Sequence, residues 1–220
     1  MPLECIELNT ADTPAASVIV LHGLGADGND FVPVARELEL SAVGGARFVF
    51  PHAPTRPVTM NGGYAMRAWY DIAGTPQARV EDEAGLRASQ VHIEALIARE
   101  VARGMPAQRI VLMGFSQGCA MTLLTGLRHR QRLAGLVGLS GYLPLADTTA
   151  AERSEANARV PIFLAHGRDD PMVGIDRAIA SRDALRALGY DVEWHDYAMP
   201  HSVCMDEIAE LNRWLLRVLG

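Results

Sequence analysis

RIVLMGFSQGCAMT, residues 109–122, passes from a charged residue through an apolar run into Gly114-Phe115-Ser116-Gln117-Gly118 and then straight into helix-forming residues. A short apolar run ending at a glycine reads as a buried strand, and the residues from Gln117 onward as the helix that leaves it. A serine on so sharp a turn exposes its hydroxyl. The positions two before and two after it must be small, because backbone passes close to backbone there. Gly114 and Gly118 meet that need. The stretch therefore predicts a strand, a nucleophile on the turn, and a helix.

Outward from this stretch the same alternation recurs. Apolar runs at 17–22, 46–51, 133–140, 160–166 and 190–197 read as further strands, four of the six being apolar almost throughout, as strands buried on both faces of a parallel sheet must be. Between them, residues 81–103 carry Leu86, Ile93, Leu96, Ile97 and Val101 at helical spacing, with Glu81, Asp82 and Glu83 in the first turn, where the helix dipole favours acids. Similar patterns occupy 29–39, 117–130, 175–188 and 203–219, and the Ala-rich stretch 146–159 reads as a surface excursion. Strand then helix, repeated, means an α/β fold with a mainly parallel sheet flanked by helices on both faces. With no linker, repeat or low-complexity tract, residues 1–220 form one expected domain.

Composition excludes several classes. A net charge of −6 with interspersed signs lacks the clustered Lys and Arg that phosphate binding needs, so nucleic acid is not expected as a partner. The N-terminal stretch MPLECIELNT is not a signal peptide, and no run approaches the length of a membrane span. Cys5, Cys119 and Cys204 show neither CxxC nor metal-ligand spacing. Reduced thiols, a cytoplasmic location, no stable membrane insertion, and no metal or cofactor are the expectations. A homodimer is left open.

In an open parallel sheet, ligands collect beyond the carboxyl ends of the strands. A serine there needs a base, itself oriented by a carboxylate. His92 and His129 fall in helices and read as solvated, His195 lies inside a strand, and His22 and His166 end strands where packing or hydrogen bonding beneath the site competes equally with a chemical role. His201 sits in the loop MPHSV between the last strand and the last helix, giving the chain order Ser, acid, His of an α/β-hydrolase. The acid comes from HGRDDPMV, where Asp169 and Asp170 compete. Pro171 holds its predecessor extended, which favours Asp170 modestly.

Acyl transfer also needs two backbone donors for the oxyanion. One is the N–H of Gln117, and the other falls in the loop His22-Gly23-Leu24-Gly25, whose glycines leave Leu24 N–H as the candidate. Gly23, Gly25 and Gly28 also match the spacing GxGxxG. No acid follows about 20 residues on at a strand end, however, so dinucleotide binding is not expected.

HGLGADGND, PHAPTRPVTMNGGYAMRAWYDI, GFSQGCA, LSGYLPL, HGRDDPMV and MPHSV, in this order and almost end to end, resemble the bacterial carboxylesterases related to acyl-protein thioesterases and lysophospholipases. The resemblance implies an α/β-hydrolase fold with Ser116 as nucleophile, Asp170 as triad acid, His201 as base, and Leu24 and Gln117 as oxyanion donors. Cys119 stands where that family commonly has glycine, and Pro200 where glycine often precedes the histidine. Neither change removes a catalytic group.

The expected activity is hydrolysis of short- to medium-chain acyl esters through an acyl-enzyme, rising from acid pH towards neutrality because the base must be neutral. Long-chain acyl-protein thioesterase or lysophospholipase activity is the alternative, and a non-catalytic binding protein of the same fold a third reading. No long insertion follows Ser140, so no large lid is expected. Met60, Met66, Trp69 and Tyr70 are candidate substrate-binding residues, because flexible methionines beside aromatics suit an apolar groove; for Trp69 and Tyr70 ordinary core packing competes equally.

Overall fold

A computed structural model describes residues 3–75 and 78–220; of the stretch read for a signal peptide, Met1 and Pro2 lie outside the described residues, as do residues 76 and 77 of the expected domain. Among the described residues the main sheet has seven strands. In chain order these are β1 (Cys5–Asn9), β2 (Ala16–Leu21), β3 (Ala46–Pro51), β8 (Ile110–Phe115), β9 (Gly135–Leu139), β10 (Ile162–Gly167) and β11 (Val192–Tyr197). Between β3 and β8 stand two hairpins, β4 (Thr55–Val58) with β5 (Tyr64–Arg67), and β6 (Ile72–Thr75) with β7 (Ala78–Glu81). The helices are α1 (Val32–Glu37), α2 (Glu83–Ala102), α3 (Gln117–Arg128), α4 (Ala146–Glu152), α5 (Ile175–Ala187) and α6 (Met205–Leu219).

Spatial order in the sheet is β1-β3-β2-β8-β9-β10-β11, with every pair parallel except β1 against β3. This is the α/β-hydrolase architecture expected, and the six predicted strands are its parallel members. The strand β1 escaped prediction. Its five residues alternate partly buried and exposed side chains at the sheet edge, a weaker signal than the continuous runs of the centre.

Burial explains the helix placement. On one face Phe31, Ala35 and Leu38 near α1 join Ile208, Leu211, Trp214 and Leu215 of α6 over Val18, Phe48, Val111, Val137 and Phe163. On the other, Leu86, Ile93, Leu96 and Ile97 of α2 join α3 and Leu185 of α5 over Ile19, Leu112, Leu136 and Ile162. Alternate side chains of one strand feed opposite layers, which is why β2, β8 and β10 are apolar almost throughout, Ser17 and His166 being the polar exceptions. Each fully buried Leu, Ile or Phe contributes about 1.5–3 kcal/mol. At the start of α2, Asp82 is the N-cap and accepts from Gly85 N–H at 2.8 Å, while Glu81 belongs to β7.

The stretch 146–159 is more than a surface excursion. It contains α4 and the buried Asn157, whose amide receives Leu133 N–H at 2.9 Å and donates to the carbonyls of His129 and Gln131. His129, read as solvated, is buried with its Nδ1 2.6 Å from Glu94 of α2. Among the described residues no helix is long and apolar enough to cross a membrane.

Candidate active site

Ser116 stands between β8 and α3 with φ 55° and ψ −116°, a conformation costly for a residue with a Cβ. The turn is possible because of its neighbours. A Cβ on Gly114 would overlap the Gly118 carbonyl, and one on Gly118 would overlap the Leu21 carbonyl at the end of β2. Ser116 N–H donates to the Leu139 carbonyl at 2.9 Å, tying the turn to β9.

The loops after β10 and β11 meet next to it. Asp170 Oδ2 lies 2.6 Å from His201 Nδ1, and its Oδ1 accepts from the backbone N–H groups of Met172 at 2.8 Å and Val173 at 2.9 Å. The carboxylate is fully buried, and His166 Nε2 stands 3.4 Å from Oδ2 while donating to the Val173 carbonyl at 2.8 Å. Burial lowers the pKa of His166, so it is a neutral donor beneath the acid. Asp169, the other candidate acid, is exposed. Its N–H donates to the Met199 carbonyl at 3.2 Å, and Arg168 N–H to the Tyr197 carbonyl at 2.8 Å, so the two loops are joined by backbone.

With Nδ1 held by Asp170, the free nitrogen of His201 is Nε2. Phe115 packs on the ring at 4.7 Å between centroids. Ser116 and His201 line one cavity of about 240 Å³, whose remaining wall includes Gly23, Leu24, Met60, Ile72, Met172 and Val173.

The loop after β2 carries Leu24, the second backbone donor expected from the sequence. His22 is buried there; its Nε2 accepts from Ala53 N–H at 3.0 Å, so Nδ1 carries the proton and donates to the Gly23 carbonyl at 2.7 Å. Burial also lowers the His22 pKa, which keeps this one tautomer neutral. Leu24 is half-buried in the cavity wall. Gly28 N–H donates to His52 Nδ1 at 3.1 Å and is not free to receive a phosphate.

Of the four residues expected to bind substrate, the structure places only Met60 in the cavity wall, while the half-buried Met66 sets its sulfur beside Gly25. Trp69 and Tyr70 are core residues, a correction to the groove reading. Trp69 Nε1 donates to the His22 carbonyl at 2.9 Å, and the Tyr70 hydroxyl pairs with that of Tyr142 at 2.8 Å. These polar handles satisfy an interior position. Ile72 and Met172, which the sequence reading omitted, do line the cavity.

Cys119 is buried one turn into α3, and burial pushes its thiol up to about 12, so it cannot serve as a thiolate nucleophile. Among the described residues one group, Glu193, His195 and Glu210, brings potential metal-ligand atoms within 4.8 Å of one another. It lies on β11 and α6, and its carboxylates are already paired with Arg217 and Arg213.

A family model described as Phospholipase/Carboxylesterase matches residues 4–219. The chain is 37% identical to acyl-protein thioesterase 1 of Yarrowia lipolytica, over 97% of this chain and 96% of that protein. It is 41% identical to acyl-protein thioesterase 1 of Neurospora crassa, over 91% and 85% of the respective chains. The crystal structure of Zea mays acyl-protein thioesterase 2 superposes with a TM-score of 0.88 at 30% identity, covering 99% of each chain. These relatives are fungal and plant proteins, so they give no support to the bacterial qualifier in the sequence reading.

Proposed function

The chain belongs to the phospholipase/carboxylesterase family and is a serine hydrolase acting on ester bonds; on that premise we propose that it cleaves short- to medium-chain acyl esters and thioesters through Ser116, His201 and Asp170. One observation carries the reading: His201, held through Nδ1 by a buried carboxylate, shares a single cavity with a serine on a strained strand-to-helix turn. His201 Nε2 takes the Ser116 proton as Oγ attacks the acyl carbonyl, and the N–H groups of Leu24 and Gln117 receive the oxyanion. Collapse expels the alcohol or thiol, which leaves with the proton from His201. Water then gives a proton to His201 and attacks the acyl-enzyme, releasing the acid and restoring Ser116.

A cavity of about 240 Å³ falls below the ~300–1,000 Å³ usual for larger ligands, which supports short to medium acyl chains. The second reading, deacylation of long-chain acyl proteins or lysophospholipids, is favoured by the relatives named acyl-protein thioesterase. Residues 1–220 act as one α/β-hydrolase domain on this reading. The free thiols Cys5, Cys119 and Cys204 support a reducing, cytoplasmic setting.

Rates on matched oxyesters and thioesters from acetyl to palmitoyl, for wild type and Ser116→Ala, decide between the two. Loss of rate beyond medium chains supports the first reading, and sustained rates on palmitoyl thioesters support the second. Near-full activity in Ser116→Ala contradicts both.

A further inference from the structure

Besides Ser116 and His201, the cavity is walled among the described residues by glycine, alanine and apolar side chains and by one acid, Asp30. Asp30 lies just beyond the proposed oxyanion loop, in the turn leading to α1, where its N–H donates to the Asp27 carbonyl at 3.1 Å. Its side chain is exposed, and no hydrogen bond or ion pair to its carboxylate is seen among the described residues. Asp27, three residues earlier, is held as an anion: the N–H and side-chain amide of Asn29 both donate to it and lower its pKa.

The arginines of neighbouring segments direct their guanidinium groups to other partners. In the hairpin β4–β5, Arg56 pairs with Asp82 and Arg67 donates to the Ala53 carbonyl. In the loop after β10, Arg168 pairs with Asp196, and on α5 Arg177 lies over the Tyr142 ring and faces Glu81. Asp30 thus stands in the cavity wall with no ion-pair partner among the described residues. A substrate group entering the wall beside Asp30 meets repulsion if anionic and attraction if cationic, and low-dielectric walls concentrate that field.

We infer that Asp30 makes this cavity selective by charge, favouring acyl esters and thioesters whose alcohol or thiol part is cationic over neutral ones and rejecting those whose leaving part is anionic. This rests on the proposed hydrolase reading of the same cavity and adds the residue that sorts its substrates. Asp30 takes no part in proton transfer. Discrimination comes from binding before and during acylation, so it should weaken with added salt, as an exposed charge is screened within ~10 Å at 0.1 M.

The test uses octanoyl thioesters of thiocholine, of 2-mercaptoethanol and of 3-mercaptopropanesulfonate, which differ chiefly in the charge of the thiol part. kcat/KM is measured at low and at high ionic strength for wild type, Asp30→Asn and Asp12→Asn, the last removing the same charge from the turn between β1 and β2, at the amino end of β2. The wild type should prefer the cationic over the anionic thioester by about tenfold at low salt, given one charge facing another across a solvated cavity. The preference should shrink with salt, fall towards unity in Asp30→Asn and persist in Asp12→Asn. Equal rates for the three thioesters in wild type, or an undiminished preference in Asp30→Asn, overturns the inference. Turnover of the neutral thioester that survives in Ser116→Ala instead overturns the hydrolase reading, so the two failures are distinct.

Discussion

Gln117 grips the backbone at Trp69 with both ends of its amide: Oε1 accepts from Trp69 N–H at 3.0 Å, and Nε2 donates to the Tyr70 carbonyl at 2.9 Å. Trp69 in turn donates through Nε1 to the His22 carbonyl, and its own carbonyl accepts from Ser89 of α2. The buried segment 69–70 thus joins the two backbone stretches that carry the proposed oxyanion donors, Leu24 and Gln117. The side chains that make this bridge, Trp69 and Gln117, are themselves buried.

Replacing Gln117 by Ala keeps its backbone N–H but leaves Trp69 N–H and the Tyr70 carbonyl unpaired in the interior, at a cost of roughly 1–3 kcal/mol for each group. The expected result is a lower Tm together with a fall in kcat on the order of tenfold, in protein shown to be folded at the assay temperature. A lower Tm with unchanged kcat would mean that the clasp stabilises the fold without setting the oxyanion geometry.

Trp69→Phe removes the hydrogen bond to His22 while keeping most of the ring. Stability should drop by roughly 1–3 kcal/mol or more, from the unpaired His22 carbonyl and the space left by the indole, and the dependence of rate on acyl chain length should stay as in wild type, because Trp69 is fully buried. Met60→Ala and Ile72→Ala, in the cavity wall, should instead shift the preferred chain length. A changed profile in Trp69→Phe would return that residue to the substrate groove.

Asp170→Asn preserves an oxygen for the N–H groups of Met172 and Val173 but places an amide against His201 Nδ1, which disfavours the tautomer needed at Nε2. A loss of kcat on the order of 10³-fold or more, with little change in Tm, is expected. Asp169→Asn, at an exposed position, should retain activity within about twofold. Reversed effects in the two variants would reassign the acid.

Glu207, in the first turn of α6, is fully buried, and burial pushes its carboxyl up to about 8. Neither of its oxygens has a well-formed hydrogen bond. A carboxyl whose folded pKa is raised holds its proton more firmly in the folded state. Its contribution is complete below the ordinary carboxyl pKa, and stability is lost as pH rises through the window that ends near pH 8. Glu207→Gln should flatten that loss and raise Tm at pH 8 by a few °C relative to wild type. Parallel Tm curves for the two proteins between pH 5 and 9 would show that Glu207 does not ionise in this way.

The central sheet and the order of chemical groups along the chain were readable because each rests on local pattern: apolar runs for strands buried on both faces, helical spacing for their partners, and glycines flanking Ser116. The edge strand β1 and the two hairpins were not, since their burial is partial and depends on pairing between distant segments. The position of Trp69 and Tyr70 was undecidable from sequence because an aromatic beside methionines suits a groove or a core equally. Their polar contacts run to residues 22, 117 and 142, and only the folded chain brings these together. The same is true of His129, whose burial depends on Glu94 in another helix. Ile72 and Met172 gave no sequence signal because a cavity wall assembled from separate loops has no period.

On the proposed mechanism the Ser116 hydroxyl is the group that becomes acylated. Intact-protein mass spectrometry after treatment with a fluorophosphonate, followed by peptide mapping, addresses it directly. A single adduct on Ser116 in wild type and none in Ser116→Ala is the predicted result. An adduct that persists in Ser116→Ala, or that maps to another residue in wild type with matching loss of activity, would contradict the account.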